Sequence, residues 1–271
     1  MIRSLWTAAT GMIAQQNNID TIANNLANVN TTGYKTEVAE FKSLLYQTLQ
    51  TKTTSANGND KPVGAQVGLG VRNSSITSIF TQGNSYESTS TSAFMIQGDG
   101  FFAVRGEDGS TKYTRNGNFN ISMGTTGLTL TNSDGLPVLD STGKAVVFNN
   151  NVVTSKITIS ADGEFYYPDA NNNAKSMGIK LGVFQFNNPA GLEKTDSSLY
   201  EQTAASGVAL NEATNNNVKK SSVIQGYLEG SNVQVVDEMV NMIVAQRAYE
   251  MNSKAIQASD EMLQQANQLR R

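Results

Sequence analysis

Each end of this chain carries a long helical pattern of apolar residues, while the stretch between the two ends does not. In residues 1–34 the apolar positions recur at alternating spacings of three and four, which is a heptad pattern and predicts one long helix. This predicted seam consists of Ile2, Leu5, Ala9, Met12, Gln16, Ile19, Ala23 and Leu26, of which Gln16 is the one polar interruption. Trp6 and Ile13 widen it on one side, and Ala8, Ile22 and Val29 widen it on the other. The sequence NTTG at 30–33 is expected to end the helix, since Gly33 suits a left-handed turn.

The polar residues of this first helical segment are unusual because almost none of them is charged. Only Arg3 and Asp20 carry charge within residues 1–34, and the other polar positions are amides and hydroxyls, among them Asn24, Asn25 and Asn28. A helix face in water usually carries Lys and Glu, which also favour helix formation. Neutral amides cost less to bury against other chains than charges do. The pattern favours a helix enclosed within an assembly, although a poorly optimised surface helix stays open as the alternative.

A second long helical pattern covers residues 233–269 and is preceded by Ser231-x-x-Gln234, a capping-box match. Alanines and methionines form stripes along it, and small side chains allow close helix approach while Met packs adaptably. A stripe of this kind usually belongs to a core, so we expect its partners to be the first helix and other copies of the chain. The predicted assembly residues on this helix are Val235, Met239, Met242, Ile243, Gln246, Tyr249, Ile256, Met262 and Leu263.

The middle of the chain, residues 71–200, has short apolar runs separated by turn sequences such as Asp108-Gly109 and Asp162-Gly163. Regular hairpin signals of this kind predict a turn-rich antiparallel β domain, a sandwich or a barrel-like fold. The predicted fold class is therefore α+β, with the β domain inserted between two paired terminal helices. Residues 35–70 and 201–230 are expected to connect the β domain to helices at 1–34 and 231–271.

Composition excludes several classes of function. The 271 residues include no His and no Cys, which removes Ser-His-Asp and Cys-His catalysis as well as His or Cys metal sites. The net charge is −3 and the basic residues are scattered, so we expect no nucleic-acid partner. Residues 169–180 resemble a calcium loop only in part, because position six is Ala174 and position twelve is Lys180. We predict no catalytic residue, cofactor, metal or small-molecule substrate, and no cleaved signal peptide at the start of the chain.

Both ends carry motifs that identify a family. TAATGMIAQQNNIDTIANNLANVNTTGYK at 7–35 closely resembles the N-terminal signature of bacterial flagellar rod and hook proteins, and residues 226–263 resemble the matching C-terminal segment. GLGVR at 68–72, the stretch at 81–104 and YTRNGNF at 113–119 are similar to the same family.

The resemblance implies a structural subunit of the flagellar basal body rather than an enzyme. It implies terminal helices paired as the inner coiled-coil layer of a hollow helical homopolymer, with the β domain outside. It also implies export through the flagellar export apparatus, across the inner membrane, without signal cleavage. The implied partners are further copies of the chain, other rod proteins, the hook protein and basal-body ring proteins.

Two alternatives stay open at this point. Within the family, length favours the distal part of the rod, whereas hook proteins usually have more β sequence and proximal rod proteins less. Outside the family, a secreted glycan hydrolase on a β scaffold would need two carboxylates facing each other roughly 5–9.5 Å apart in a cleft.

Overall fold

A computed structural model describes residues 2–50, 64–124, 127–150, 152–169, 173–195, 198–215 and 218–268. The chain is α+β, with one helix near each end and short strands between them, as the sequence predicts. The helices are α1 (Ile2–Ala27) and α2 (Val235–Gln268), with short 3-10 turns at Thr154–Lys156 and Pro189–Gly191. The strands are β1 (Glu37–Ser43), β2 (Tyr46–Gln50), β3 (Ala65–Gly68), β4 (Val71–Ser78), β5 (Ser85–Glu87), β6 (Phe94–Gln97), β7 (Phe101–Arg105), β8 (Thr111–Thr114), β9 (Asn120–Met123), β10 (Leu128–Thr131), β11 (Val147–Phe148), β12 (Thr158–Ile159), β13 (Glu164–Pro168), β14 (Ala174–Lys180), β15 (Val183–Gln185), β16 (Glu193–Lys194), β17 (Leu199–Glu201), β18 (Leu210–Asn211), β19 (Ser222–Gln225) and β20 (Tyr227–Glu229).

The chain divides into two compact units. Unit 1 comprises Met1–Ala27, Glu37–Thr77 and Gln234–Arg271, and unit 2 comprises Asn28–Thr36 and Ser78–Val233. Unit 1 therefore holds both helices and β1–β3, with β4 as far as Thr77. Unit 2 holds the rest of the strands, including β18, β19 and β20 from the segment 201–230 that the sequence suggests as a connector.

Helix α1 is shorter than the sequence pattern predicts. It ends at Ala27 and not at 34, because the chain turns at once: the Thr31 N–H donates to the Asn28 carbonyl at 3.1 Å. Gly33 then has a φ of 68°, the left-handed conformation expected for this turn. The position of Gly33 also excludes a side chain, since a Cβ there would lie 2.6 Å from the backbone nitrogen of Asn116.

Helix α2 begins four residues after the serine proposed as its cap. The Ser231 hydroxyl accepts a hydrogen bond from the Val233 N–H at 3.3 Å, and the helix starts at Val235. The first turn carries Asp237 and Glu238, whose negative charge suits the positive end of the helix dipole. The capping-box prediction is therefore wrong at Ser231, although the helix it was meant to open is present.

Unit 2 is an antiparallel β domain built around phenylalanines. Its largest sheet has six strands in the order β16-β17-β8-β7-β15-β18, and three-stranded sheets β11-β10-β9 and β12-β13-β14 accompany it. Edge-to-face ring pairs fill the core, with Phe102 against Phe119 at 5.2 Å and Phe148 against Phe165 at 5.1 Å between centroids. The segment Leu136–Asp140 also contributes to this core, through Val138, but it forms only isolated β-bridges.

A buried ion cluster in unit 2 fixes the segment that follows α1. The Lys35 ammonium lies 2.6 Å from Glu229 Oε1 on β20, and Arg115 Nη1 lies 3.3 Å from Glu229 Oε2. Lys35 also donates to the Thr81 carbonyl at 2.8 Å, and Arg115 Nη2 donates to the Gly98 carbonyl at 2.7 Å. Glu229 is only 1% exposed, and it accepts a third hydrogen bond from the Gly83 N–H at 2.9 Å. Burial lowers the pKa of Lys35, while Glu229 opposes that shift.

Some of the sequence-based expectations fall on residues outside the described part of the chain. These include residues 51–63 of the proposed connector, Asn171 of the incomplete calcium loop, and Leu269 at the end of the second helical pattern.

Candidate assembly interface

Helices α1 and α2 lie against each other in opposite directions. Ser4 Oγ is 3.3 Å from Ser259 Oγ near one end of the pair, and Asn25 Nδ2 donates to Glu238 Oε1 at 3.4 Å near the other. Between them, a Cβ added at Gly11 would lie 2.9 Å from Asn252 Nδ2. Residues early in α1 thus meet residues late in α2. From the serine contact to the Gly11 contact the spacing is 7 residues on each helix, and from there to the Asn25 contact it is 14 residues on each helix.

The seam between the two helices is made of small and polar residues. We call this the inner seam; its contacts join Ser4 to Ser259, Gly11 to Asn252 and Asn25 to Glu238, and the same seven-residue steps add Asn18 on α1 and Ala245 on α2. On α2 only Glu238, Ala245 and Ser259 are buried. On α1 the adjacent residues Ala8, Ala14, Thr21 and Ile22 are buried as well. Side chains of this size let two helix backbones approach closely, at the cost of burying little apolar surface.

Hydrogen bonds at one end of the inner seam join α1, β1 and α2. The Asn25 side chain donates to the Glu37 carbonyl at 2.8 Å and accepts from the Glu37 N–H at 2.9 Å. The same amide donates to Glu238 on α2. Burial raises the pKa of the Glu238 carboxyl, the hydrogen bond from Asn25 opposes that shift, and the neighbouring charge of Asp237 adds to it.

The predicted assembly residues on α1 lie beside the inner seam, except Asn25, which is part of it. Leu5, Ala9, Met12, Ile19, Leu26 and Asn28 are half-buried, whereas Trp6, Ile13, Gln16, Ala23 and Asn24 are exposed and Asn25 is buried. Asn28 lies beyond the helix in unit 2, and the side chain of Ile2 is outside the described residues. Trp6 is 68% exposed, and it follows Ser4 by two residues, about 200° around the helix axis.

The predicted residues on α2 are mostly open to solvent. Met242 and Ile256 are half-buried, whereas Val235, Met239, Ile243, Gln246, Tyr249, Met262 and Leu263 are exposed. Val236, Val240 and Val244 are exposed too, and with Met239 and Ile243 they give the first three turns of α2 an apolar outer surface. Val236 is 74% exposed and Val244 is 62% exposed.

Sequence reasoning missed most of the inner seam because it searched for large apolar side chains. The signal was present as a second heptad, one in which small or amide residues repeat every seven positions. Each of the two heptad patterns predicts a helix face. Neither pattern indicates whether that face packs against the same chain or against another subunit.

A groove of about 380 Å³ opens between α1, β1 and α2 in unit 1. Its walls combine apolar and amide side chains with two carboxylates, including Asn18, Ile22, Glu37, Phe41, Glu238 and Val244. Within the described ranges no three Asp or Glu residues come together as metal ligands. Among those residues no helix has the length and apolar character needed to cross a membrane.

Comparison with known proteins places both ends and the middle of the chain in flagellar families. Residues 5–35 match "Flagella basal body rod protein", residues 95–167 match "Flagellar hook protein FlgE/F/G D1 domain", and residues 224–269 match "Flagellar basal body rod FlgEFG protein C-terminal".

Whole-chain relatives agree with these matches. The chain is 44% identical to the "Flagellar basal-body rod protein FlgG" of Borreliella burgdorferi over 100% of both proteins. It is 43% identical to the protein of that name from Agrobacterium fabrum, covering 96% of this chain and 97% of the relative. Against the protein of that name from Bacillus subtilis it is 35% identical over 100% of both.

The family is structural and not enzymatic, which removes the glycan hydrolase alternative. Its matches cover both helices and the centre of unit 2, and the relatives match from end to end. The chain therefore belongs to the flagellar basal-body rod protein family and is a structural subunit of the flagellar basal body.

Proposed function

We propose that this chain polymerises through its terminal helices into the distal part of the flagellar rod, a hollow helical tube. The tube would act as the drive shaft between motor and hook and as the conduit for later subunits. Its partners would be further copies of the chain, other rod proteins, the hook protein, basal-body ring proteins and the export apparatus that carries it across the inner membrane.

The observation that carries this proposal is the placement of apolar residues on the helices. A single chain buries mainly small and amide side chains between α1 and α2 and leaves several larger ones, such as Trp6, Val236 and Ile243, in water. Burial of a large apolar side chain gains about 1.5–3 kcal/mol, so these faces favour association strongly when they are covered. In a polymer the same gain repeats in every subunit.

The pairing of α1 and α2 would extend into a coiled coil in the assembled state. The equal heptad steps along both helices favour this, because a seven-residue repeat keeps two helices in contact as they supercoil. The predicted apolar seam on α1, which includes Leu5, Met12 and Leu26, would then face helices of other subunits.

Imaging of the purified full chain tests the proposal. Straight tubes with stacked subunits are expected, and the variants Leu26→Asp and Ile256→Asp should remain unassembled because each places an unpaired charge in a crowded interface. Met123→Asp is the matched control, since Met123 is 82% exposed in unit 2 and the same charge there should leave assembly unchanged.

The same variants can be followed in cells that lack their own distal rod protein. The wild-type chain and Met123→Asp should restore motility, and the two interface variants should not. Normal rods built from Leu26→Asp protein would contradict the assignment of this face, and a wild-type chain that stays monomeric under all conditions would contradict polymerisation.

A further inference from the structure

Unit 1 carries two different exposed surfaces at opposite ends of its helix pair. The first, which we call the tip, consists of Arg3 and Trp6 on α1. The second, which we call the base, consists of Val236, Met239, Val240, Ile243 and Val244 on α2, together with the groove beside them. Trp6 precedes the groove residue Ile22 by about four and a half turns of α1, which corresponds to about 24 Å along the helix.

The tip supplies a cation and the base supplies carboxylates. Arg3 is the only charged side chain before Asp20 on α1, although Asp260 and Glu261 follow Ser259 on α2 at the same end of the pair. The base carries the exposed carboxylate of Asp237 on α2, beside the buried Glu238, and Glu37 from β1 lies in the groove wall. The first arginine along α2, Arg247, is already paired with Glu250 at 2.9 Å.

The groove also has the size and lining for an aromatic side chain. A cavity of about 150 Å³ binds a benzene ring, so a groove of about 380 Å³ accepts an indole with room for a neighbouring side chain. Ile22, Phe41 and Val244 give it apolar walls, and its carboxylates and amides can accept the indole N–H. Trp6 is the only tryptophan of the chain, and it projects into water in the single subunit.

We propose that the tip of one subunit docks on the base of the next, with Trp6 in the groove and Arg3 beside Asp237 and Glu238. This proposal rests on the polymer proposed above and specifies one of its contacts. Because the two surfaces differ, the contact is heterologous, and repeating a heterologous contact produces an open helical array. An isologous dimer would instead require one surface to match itself.

Trp6 itself provides the first test. When the wild-type chain assembles, the emission of its single tryptophan should move to shorter wavelength, and quenching by acrylamide should fall several-fold. An indole that remains accessible to acrylamide in intact polymer would overturn the contact and leave the polymer proposal standing. A wild-type chain that never assembles would overturn the polymer proposal and this contact with it.

The second test mixes two variants that are each blocked at one surface. Trp6→Asp disables the tip and keeps the base, while Val244→Asp disables the base and keeps the tip. Alone, each should be monomeric at concentrations tenfold above those at which the wild type assembles. Mixed together, they should form a one-to-one dimer and nothing longer, and the tryptophan of the Val244→Asp subunit should shift to shorter wavelength.

Folding of these variants is checked directly. Both positions are exposed in the single subunit, so circular dichroism of each variant should match the wild type, and Met123→Asp supplies a control that still polymerises. If the mixture stays monomeric, or if Trp6→Asp protein polymerises alone, the proposed contact is wrong.

A charge exchange tests the polar part of the contact. Arg3→Glu and Asp237→Lys should each weaken association at least tenfold, and the double variant should recover most of that loss. No recovery in the double variant would overturn the assignment of Arg3 to this acidic surface.

Discussion

Glu229 joins three parts of unit 2 that are far apart in sequence. Its carboxylate contacts Lys35 after α1, Arg115 at the end of β8 and the backbone of Gly83. Buried ion clusters contribute little net stability when intact, but removal of one partner leaves uncompensated charge in a poorly solvated site. The cluster therefore defines which segments must be present for unit 2 to fold.

The variant Glu229→Gln should destabilise unit 2 by about 3–5 kcal/mol, because Lys35 and Arg115 then stay buried without a carboxylate. Urea unfolding followed by near-ultraviolet circular dichroism of the buried aromatic residues measures this. Glu193→Gln on the exposed strand β16 is the control and should change stability little. Equal midpoints for the two variants would show that the cluster has no energetic role.

Glu238 should make the helix pair sensitive to pH. Burial raises its pKa in the folded state above the ordinary value of 4.5, so the folded form binds the proton more tightly than the unfolded form does. The protonated Glu238 carboxyl therefore adds to the free energy of unfolding at pH values below 4.5, and this contribution is lost as the pH rises through the raised pKa.

The variant Glu238→Gln removes that dependence and keeps an oxygen to accept the hydrogen bond from Asn25. At neutral pH the full-length variant, held monomeric, should have more helical ellipticity than the wild type, because its side chain amide is neutral where the wild type buries a carboxylate. The difference should disappear as the pH falls below the ordinary carboxyl pKa of 4.5. A wild type that is at least as helical as the variant at neutral pH would contradict the assigned shift.

At the scale of elements, Ala245 sits at the centre of the inner seam and is almost completely buried. Replacement by Leu would force α1 and α2 apart, and overpacking of this kind typically costs about 1–3 kcal/mol. We expect Ala245→Leu to lower the helical ellipticity of the full chain and to leave the near-ultraviolet signal of unit 2 unchanged.

Ala258→Leu supplies the matched control, because Ala258 is exposed on the same helix and Leu has a comparable helix propensity. It should keep the helical signal of the wild type. Loss of helix in both variants would indicate a local effect on α2, and the inner seam would then not explain the result.

The two helices show what sequence periodicity can predict and what it cannot. The periodic patterns predicted both helices, although α1 is shorter than expected, but the helix faces that meet within one chain are those of Gly11 and Ala245. Periodicity specifies a helix and an apolar side; it does not say whether that side meets the same chain or another one. The ion pair between Lys35 and Glu229 was beyond sequence reasoning altogether, since 194 residues separate the two and no local pattern links them.

At the scale of the whole molecule, the division into two units changes where the β domain should be cut. The sequence pattern assigns residues 1–34 and 231–271 to the terminal helices, yet residues 28–36 belong to unit 2 and supply Gly33, Tyr34 and Lys35 to it. Tyr34 is buried, and the Lys194 ammonium lies 4.7 Å from the centre of its ring. A cut after residue 34 therefore divides a segment that is packed as one piece.

Two fragments test this division. The fragment 28–233 retains all of unit 2 and should be a soluble monomer that unfolds cooperatively, because the phenylalanine core and the Lys35–Glu229 pair are intact. The fragment 37–233 lacks Lys35 and leaves Glu229 with Arg115 as its remaining cation. It should be less stable by several kcal/mol, in the range of about 3–5 kcal/mol for a broken buried pair. Urea midpoints and amide exchange of the two fragments make the comparison. Equal stability of the two fragments would mean that residues 28–36 contribute no stability to unit 2. An unfolded 28–233 fragment would mean that unit 2 depends on the helices.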